Sequence, residues 1–253
     1  MPELILGRIC QAASSERQLD QAIRGVDQVI AATEGIQHIH FLPTLFISQF
    51  SPSAFQACAF GSQNCSAQND YAELGECTAY QVYQAGVSYC LVGSASRRKA
   101  FMESDTEVSM KIKNCLALGI RPVLCLSLPR MSREWNMQSV WLAQQIWQIY
   151  SNLTAEEQAQ VMILFEGSEA GQDSPKVLAD LAQLIRDTVF EIAGEAIAQS
   201  LDLVYLVNRK EELQLDLLKD GNFNGIFSND RMLSDEDWLA VIKSLQADYL
   251  MVK

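Results

Sequence analysis

Histidine is nearly absent from this chain. Only His38 and His40 occur among 253 residues, and histidine is the side chain that most readily moves protons near neutral pH. Basic residues are also scarce: 19 Lys and Arg stand against 31 Asp and Glu, a formal net charge of -12. Nucleic acid needs clustered Lys and Arg to neutralise its phosphates, so this balance argues against it as a partner. It argues less strongly against an anionic membrane surface. No apolar run approaches the roughly 18 residues of a membrane span. The N-terminal residues lack a basic segment followed by a long apolar one, so no secretory leader is expected. The expectation is a soluble, cytoplasmic chain with no membrane partner. The seven cysteines are odd in number and none forms a C-x-x-C pair. A disulfide framework and a structural zinc cluster are therefore not expected, and the thiols read as core filler. Low-complexity segments, charge blocks and Pro/Gly/Ser linkers are missing too, which leaves one domain over 1–253.

What is present is an alternation. Short apolar, β-prone runs fall at Leu4–Ile9, Ile36–Leu42, Cys58–Ser62, Tyr89–Gly93, Pro122–Leu126, Met162–Phe165, Leu203–Val207 and Gly225–Phe227. Helical patterns separate them. Leu19, Ile23, Val26 and Ile30 recur at spacings of three and four, one face of a helix. Ser15 with Gln18 and Thr154 with Glu157 read as capping boxes. Asp105 precedes a pattern through Val108, Ile112 and Cys115 that Gly119 should stop. Asp173-Ser174-Pro175 opens another helix, carrying Leu178, Leu181, Ile185 and Val189. Eight strands alternating with helices imply parallel pairing through right-handed crossovers. At this length the expected architecture is an α/β fold, the closed (β/α)8 barrel; a doubly wound open sheet is the alternative.

The middle of the chain carries a denser signal. Gln63-Asn64-Cys65 is followed by Gly75-Glu76, Ala85-Gly86-Val87 and Gly93-Ser94-Ala95-Ser96-Arg97-Arg98. Phe101, Glu103-Ser104-Asp105, Val108, Lys111 and Gly119-Ile120-Arg121-Pro122-Val123-Leu124-Cys125 come next, then Phe165-Glu166, Ser174-Pro175 and Tyr205. In order and spacing this series resembles the triosephosphate isomerase family, with its A-Q-N, G-E, G-V, G-H-S-E-R-R, F-x-E-x-D, G-x-x-P-I-x-C and Y-E-P motifs. The resemblance implies a barrel, normally a homodimer, with its site at the C-terminal face of the strands. It also implies a cofactor-free interconversion of dihydroxyacetone phosphate and glyceraldehyde 3-phosphate. That enzyme is one of the standard examples of a glutamate base, a neutral histidine electrophile and a closing lid.

Position by position, the resemblance is uneven. Glu166 keeps the place of the catalytic base. Ser94 stands where the family has its histidine, and Ser96 replaces the nearby glutamate. Gly7-Arg8-Ile9-Cys10 corresponds to the family's G-N-W-K, which sets Cys10 at the lysine and Arg8 at the asparagine. Cys10 could be a reactive thiol if Arg8 lowers its pKa, but filler is the simpler expectation. The phosphate-binding Y-G-G-S becomes Tyr205-Leu206-Val207-Asn208, and the following G-G becomes Asn229-Asp230. Arg8, Asn208 and Asn229 thus line a degraded pocket. The lid is shortened to 167–173 and carries Glu169 and Asp173. Gln63, Asn64, Gly75, Glu76, Arg97 and Glu103 match positions that support the loops and the dimer contact. Neither histidine aligns with the electrophile. Both fall on one face of strand 2 with no carboxylate or cysteine beside them in sequence, so packing or a local hydrogen bond is expected and no metal site. Trp135, Trp141 and Trp147 fall in the helical stretch Glu134–Tyr150; Trp141 and Trp147 do not share one clean face, so at least one of them is expected to be exposed, with packing on the barrel as the main reading and a partner patch as the alternative.

The reading is a triosephosphate isomerase-like pseudoenzyme without cofactor, with a binding, regulatory or structural role. Its partner would be a protein or a small molecule. The rivals are an enzyme of altered specificity using Glu166 as general base on a small carbonyl substrate, and residual isomerisation.

Overall fold

The computed structural model describes residues 4–12, 15–50, 52–70, 74–128, 135–168, 174–207, 218, 222–231 and 233–251. Its strands are β1 (Leu4–Ile9), β2 (Ile36–Leu42), β3 (Cys58–Ser62), β4 (Tyr89–Val92), β5 (Arg121–Leu128), β6 (Met162–Ser168), β7 (Leu203–Val207) and β8 (Gly225–Asn229). They pair in chain order, all parallel, and β8 returns to β1 to close the barrel. The closed (β/α)8 barrel is therefore the fold, and the open sheet is not. Each expected strand lies where its apolar run falls; β5, β6 and β8 run two or three residues further toward the C-terminal mouth.

Alternation along the strands sorts their side chains into two apolar layers. Ile5, Ile9, Ile39, Phe41, Tyr89, Leu91, Val123, Cys125, Met162, Leu164, Val204, Leu206 and Phe227 form a cluster with no helical residue in it, which is the lumen. The opposite faces join the helices in a second, larger cluster. Two aromatic rings cross the lumen because glycine faces each of them. A Cβ on Gly7 would meet the Phe227 ring at 2.5 Å, and one on Gly61 would meet the Phe41 ring at 2.5 Å. The two rings stand 5.4 Å apart.

The helices used below are α1 (Glu16–Ala31), α2 (Thr44–Ile47), α3 (Ala79–Gln84), α4 (Ala95–Phe101), α5 (Asp105–Leu116), α6 (Trp135–Tyr150), α7 (Ala155–Gln158), α8 (Pro175–Ala193), α9 (Glu195–Ser200) and α10 (Asp235–Met251). The cap signals act as the sequence suggests. Ser15 accepts from the Gln18 N–H, and Thr154 and Glu157 complete both halves of their box. Ser174 caps α8 with Pro175 in its first turn. No helix among the described residues is long and apolar enough to cross a membrane. All seven cysteines are free, and all but Cys77 are buried.

Candidate functional site at the barrel mouth

The strand alternation that fills the lumen also decides which side chains reach its C-terminal rim. On β6, Met162 and Leu164 point inward, and Glu166 continues that face. Its Oε2 accepts the Ala95 N–H at 2.7 Å, at the start of α4. Burial pushes the carboxyl up from its ordinary 4.5 to about 7, although the Ala95 hydrogen bond and the Arg98 charge pull the other way. A carboxyl near neutrality suits proton transfer.

A raised carboxyl pKa has a stability consequence with a definite sign. Between 4.5 and about 7 the unfolded chain has released the Glu166 proton while the folded chain holds it, so folding stability falls as pH rises through that window. Glu166→Gln is expected to remove this slope. The variant should match the parent below pH 4.5 and be more stable by about 1–3 kcal/mol above pH 7. Urea denaturation across that range measures it, and equal stability at both ends would contradict it.

The electrophile position holds no equivalent group. Ser94 caps α4 by accepting from the Arg97 N–H, and its Oγ lies 3.1 Å from that of Ser96. Arg98 is turned away from the role of a mouth cation: its Nε donates to Gly93 O and its guanidinium pairs with Asp105 at 2.6 Å.

On β1 the structure corrects the motif-based placement of Arg8 and Cys10. Ile5 and Ile9 face the lumen, so Arg8 and Cys10 face outward, toward the helices. Arg8 is buried there and donates to Ser228 Oγ, Leu233 O and Asp235 Oδ1. It lines no part of the mouth. Burial and the charge of Asp230 raise the Cys10 thiol to about 12 against the opposing pull of Arg8, the reverse of the lowering that a reactive thiol needs. Gln11, two residues beyond Ile9, is the side chain that reaches the rim.

Gln11 meets β8 there. Asn229 Nδ2 donates to Gln11 Oε1 at 2.8 Å. The Asp230 carboxylate accepts the backbone N–H groups of Gln11 and Ala12, each at 2.9 Å. This carboxylate thus occupies backbone donors on the neighbouring loop. Asn208 and residues 169–173 lie outside the described residues.

The residues matched to loop support form one connected network beside the mouth. Gln63 Nε2 donates to Cys10 O and Phe41 O. Asn64 Nδ2 donates to Glu76, and Lys111 Nζ donates to Asn64 Oδ1 at 2.7 Å and pairs with Glu103. Arg97 pairs with Glu76 at 2.8 Å and with Glu103 at 3.5 Å. Within the chain, these contacts bind the loop after β3 to α4 and α5. On α6, Leu142, Ile146 and Ile149 are buried, whereas Trp141 and Trp147 are 45% and 61% exposed. Both tryptophans are thus partly exposed, in line with the expectation that they do not share one buried face.

Eight parallel strands closed in chain order and ringed by helices define the (β/α)8 barrel class. The model of the triosephosphate isomerase family matches residues 10–245, and the chain belongs to that family. The triosephosphate isomerase of Lactobacillus acidophilus is 26% identical over 189 residues, covering 72% of this chain and 74% of that protein. The triosephosphate isomerase of Protochlamydia amoebophila is 27% identical over 186 residues, covering 72% and 70%.

Proposed function

We propose that this chain is a triosephosphate isomerase-like pseudoenzyme, a barrel that has given up useful isomerisation and acts by binding, in a regulatory or structural role. The observation that carries this reading is the Asp230 carboxylate on the Gln11 and Ala12 amides. Isomerisation of a phosphorylated triose needs a base, an electrophile for the enediolate and donors for a phosphate dianion. Glu166 meets the first need. Serine at the electrophile position supplies no imidazole, and loss of one such donor costs about 10²–10³ in rate. At the rim, backbone donors are occupied by the chain's own anion, and Cys10, at the family's lysine position, supplies no cation.

A second reading rests on Glu166 itself. A carboxyl with pKa about 7 fits a general base acting on a small, unphosphorylated carbonyl compound. The pseudoenzyme reading is tested in a coupled isomerase assay at high protein concentration, run beside Glu166→Ala, with inorganic phosphate titrated as a binding control; the second reading is tested by Glu166-dependent exchange of α-protons in small unphosphorylated carbonyl compounds. The pseudoenzyme reading expects no turnover that depends on Glu166 and no saturable phosphate binding. Turnover lost in Glu166→Ala would overturn it.

We also infer that the chain pairs with a second copy of itself, as the family normally does. Leu74 is fully exposed beside the Glu76–Arg97 pair, and Arg97 stacks at 4.2 Å on Phe101, itself 65% exposed. Sedimentation at micromolar concentration should give the dimer mass, and Leu74→Glu the monomer mass. A wild-type monomer would remove this inference.

A further inference from the structure

Both histidines of the chain and one of its cysteines meet in the layer between barrel and helices. His38 and His40 project from the outer face of β2, and the parallel register sets Cys58 of β3 beside His38. One ligating atom from each of the three residues lies within 4.8 Å of the others, and all three residues are buried. The imidazole rings stand 4.4 Å apart. Nδ1 and Nε2 of His40 and Nδ1 of His38 have no hydrogen-bond partner. Unmet polar atoms of this kind are rare in folded proteins, and an ion or a water is the usual explanation. An approach route exists. A cavity of about 440 Å³ between α1 and α10 is lined by Gln18, Arg8, Asp235, Trp238 and His40.

The donor chemistry narrows the occupant. Neutral imidazole is the form that ligates metals, and the Trp238 N–H donated to His38 Nε2 requires a free lone pair on that nitrogen. Two imidazoles and a thiol suit a borderline-soft divalent ion with N and S ligands. Arg8 opposes a cation, but Asp235 pairs with it at 2.8 Å. Asp27 adds negative charge beside Cys58, where its carboxylate accepts the Cys58 N–H at 2.9 Å; burial and that same carboxylate push the Cys58 thiol up, so the ion has to displace its proton.

We propose that His38, His40 and Cys58 form a binding site for a zinc-class divalent cation, outside the barrel lumen, with water from the cavity as the fourth ligand. Binding forms a metal–sulfur bond and releases the Cys58 thiol proton to solvent; no electrons are exchanged. It also reaches α10. Trp238 Nε1 donates to His38 Nε2 at 3.0 Å, so the proton of that ring sits on Nδ1. Coordination through Nε2 takes the lone pair that Trp238 uses. Coordination through Nδ1 sends its proton to Nε2, where it faces the indole N–H. Either route ends the Trp238 hydrogen bond, so occupancy of the site is tied to the setting of that tryptophan.

The test titrates cobalt(II), then zinc, into the purified full-length chain after chelator treatment. One equivalent of cobalt should give a thiolate charge-transfer band with tetrahedral visible bands, and zinc should displace it. Tryptophan fluorescence should change in step, and Trp238→Phe should lose that change while still binding. Cys58→Ser should abolish the charge-transfer band, and both it and His40→Gln should weaken binding at least about a hundredfold. Cys90→Ser, in the other buried thiol cluster of Cys65, Cys90 and Cys115, should leave the signal intact. Circular dichroism checks that each variant is folded, and X-ray absorption of the zinc-loaded parent supplies a measurement free of mutation. One sulfur and two imidazoles around zinc would support the site. Absence of saturable binding, a shell of oxygens alone, or a signal lost in Cys90→Ser and kept in Cys58→Ser would overturn it.

Discussion

Replacing Gly225 with alanine is expected to leave the chain without a stable fold. Gly225 sits at the seam where β8 pairs with β1, opposite Ile5. A Cβ there would fall 1.7 Å from the Ile5 carbonyl oxygen and 2.6 Å from its carbon. These are backbone atoms of a paired strand and no rotamer change relieves the clash. The barrel can accept alanine only by opening the one pairing that closes it. The expected cost exceeds about 4 kcal/mol, the range reserved for disruptions of this class. It is comparable with the whole stability of a domain, about 5–15 kcal/mol. Gly7→Ala is the control. Its Cβ would meet side-chain atoms of the Phe227 ring and no backbone, so the smaller cost of overpacking, about 1–3 kcal/mol, is expected. Thermal unfolding followed by circular dichroism ranks the two, and a Gly225→Ala variant melting within a few degrees of the parent would show that the seam yields.

Lys111→Met should be the most damaging change outside the barrel strands. Lys111 and Glu103 are both buried and paired, and Asn64 Oδ1 accepts the same ammonium. Removing the lysine strands the Glu103 carboxylate in a dry site, which typically costs about 3–5 kcal/mol. Arg97 at 3.5 Å softens the loss only in part. Adding Glu103→Gln should recover much of it, because the pair itself is worth far less than the penalty for breaking it. Urea denaturation of the two single variants and the double variant measures this, and additive losses would refute the coupling.

The strands were legible because each apolar run is short and bounded by turn chemistry, and the capping residues marked several helix starts. The orientation of β1 was not legible. Leu4–Ile9 is buried on both faces, the usual state of parallel strands, so it carries no polar alternation to tell lumen from helix layer. Matching Gly7 to a motif glycine put Arg8 and Cys10 at the mouth, whereas the side-chain period of two puts Ile9 and then Gln11 there. Glu166 was readable because it follows Phe165 at a recognisable strand end. The meeting of His38 and Cys58 was hidden for a different reason: it depends on the register between two strands joined by a long crossover, which local spacing does not encode. The exposure of Trp141 and Trp147 follows from the strip of α6 that Leu142, Ile146 and Ile149 already cover.

The Asp230 carboxylate can be viewed as a tethered ligand. Held by the turn after β8, it faces the Gln11 and Ala12 amides at an effective concentration on the order of millimolar or higher. A free anion would have to outcompete a rival that never diffuses away. Any anion that took up these two amides would first have to displace the chain's own carboxylate.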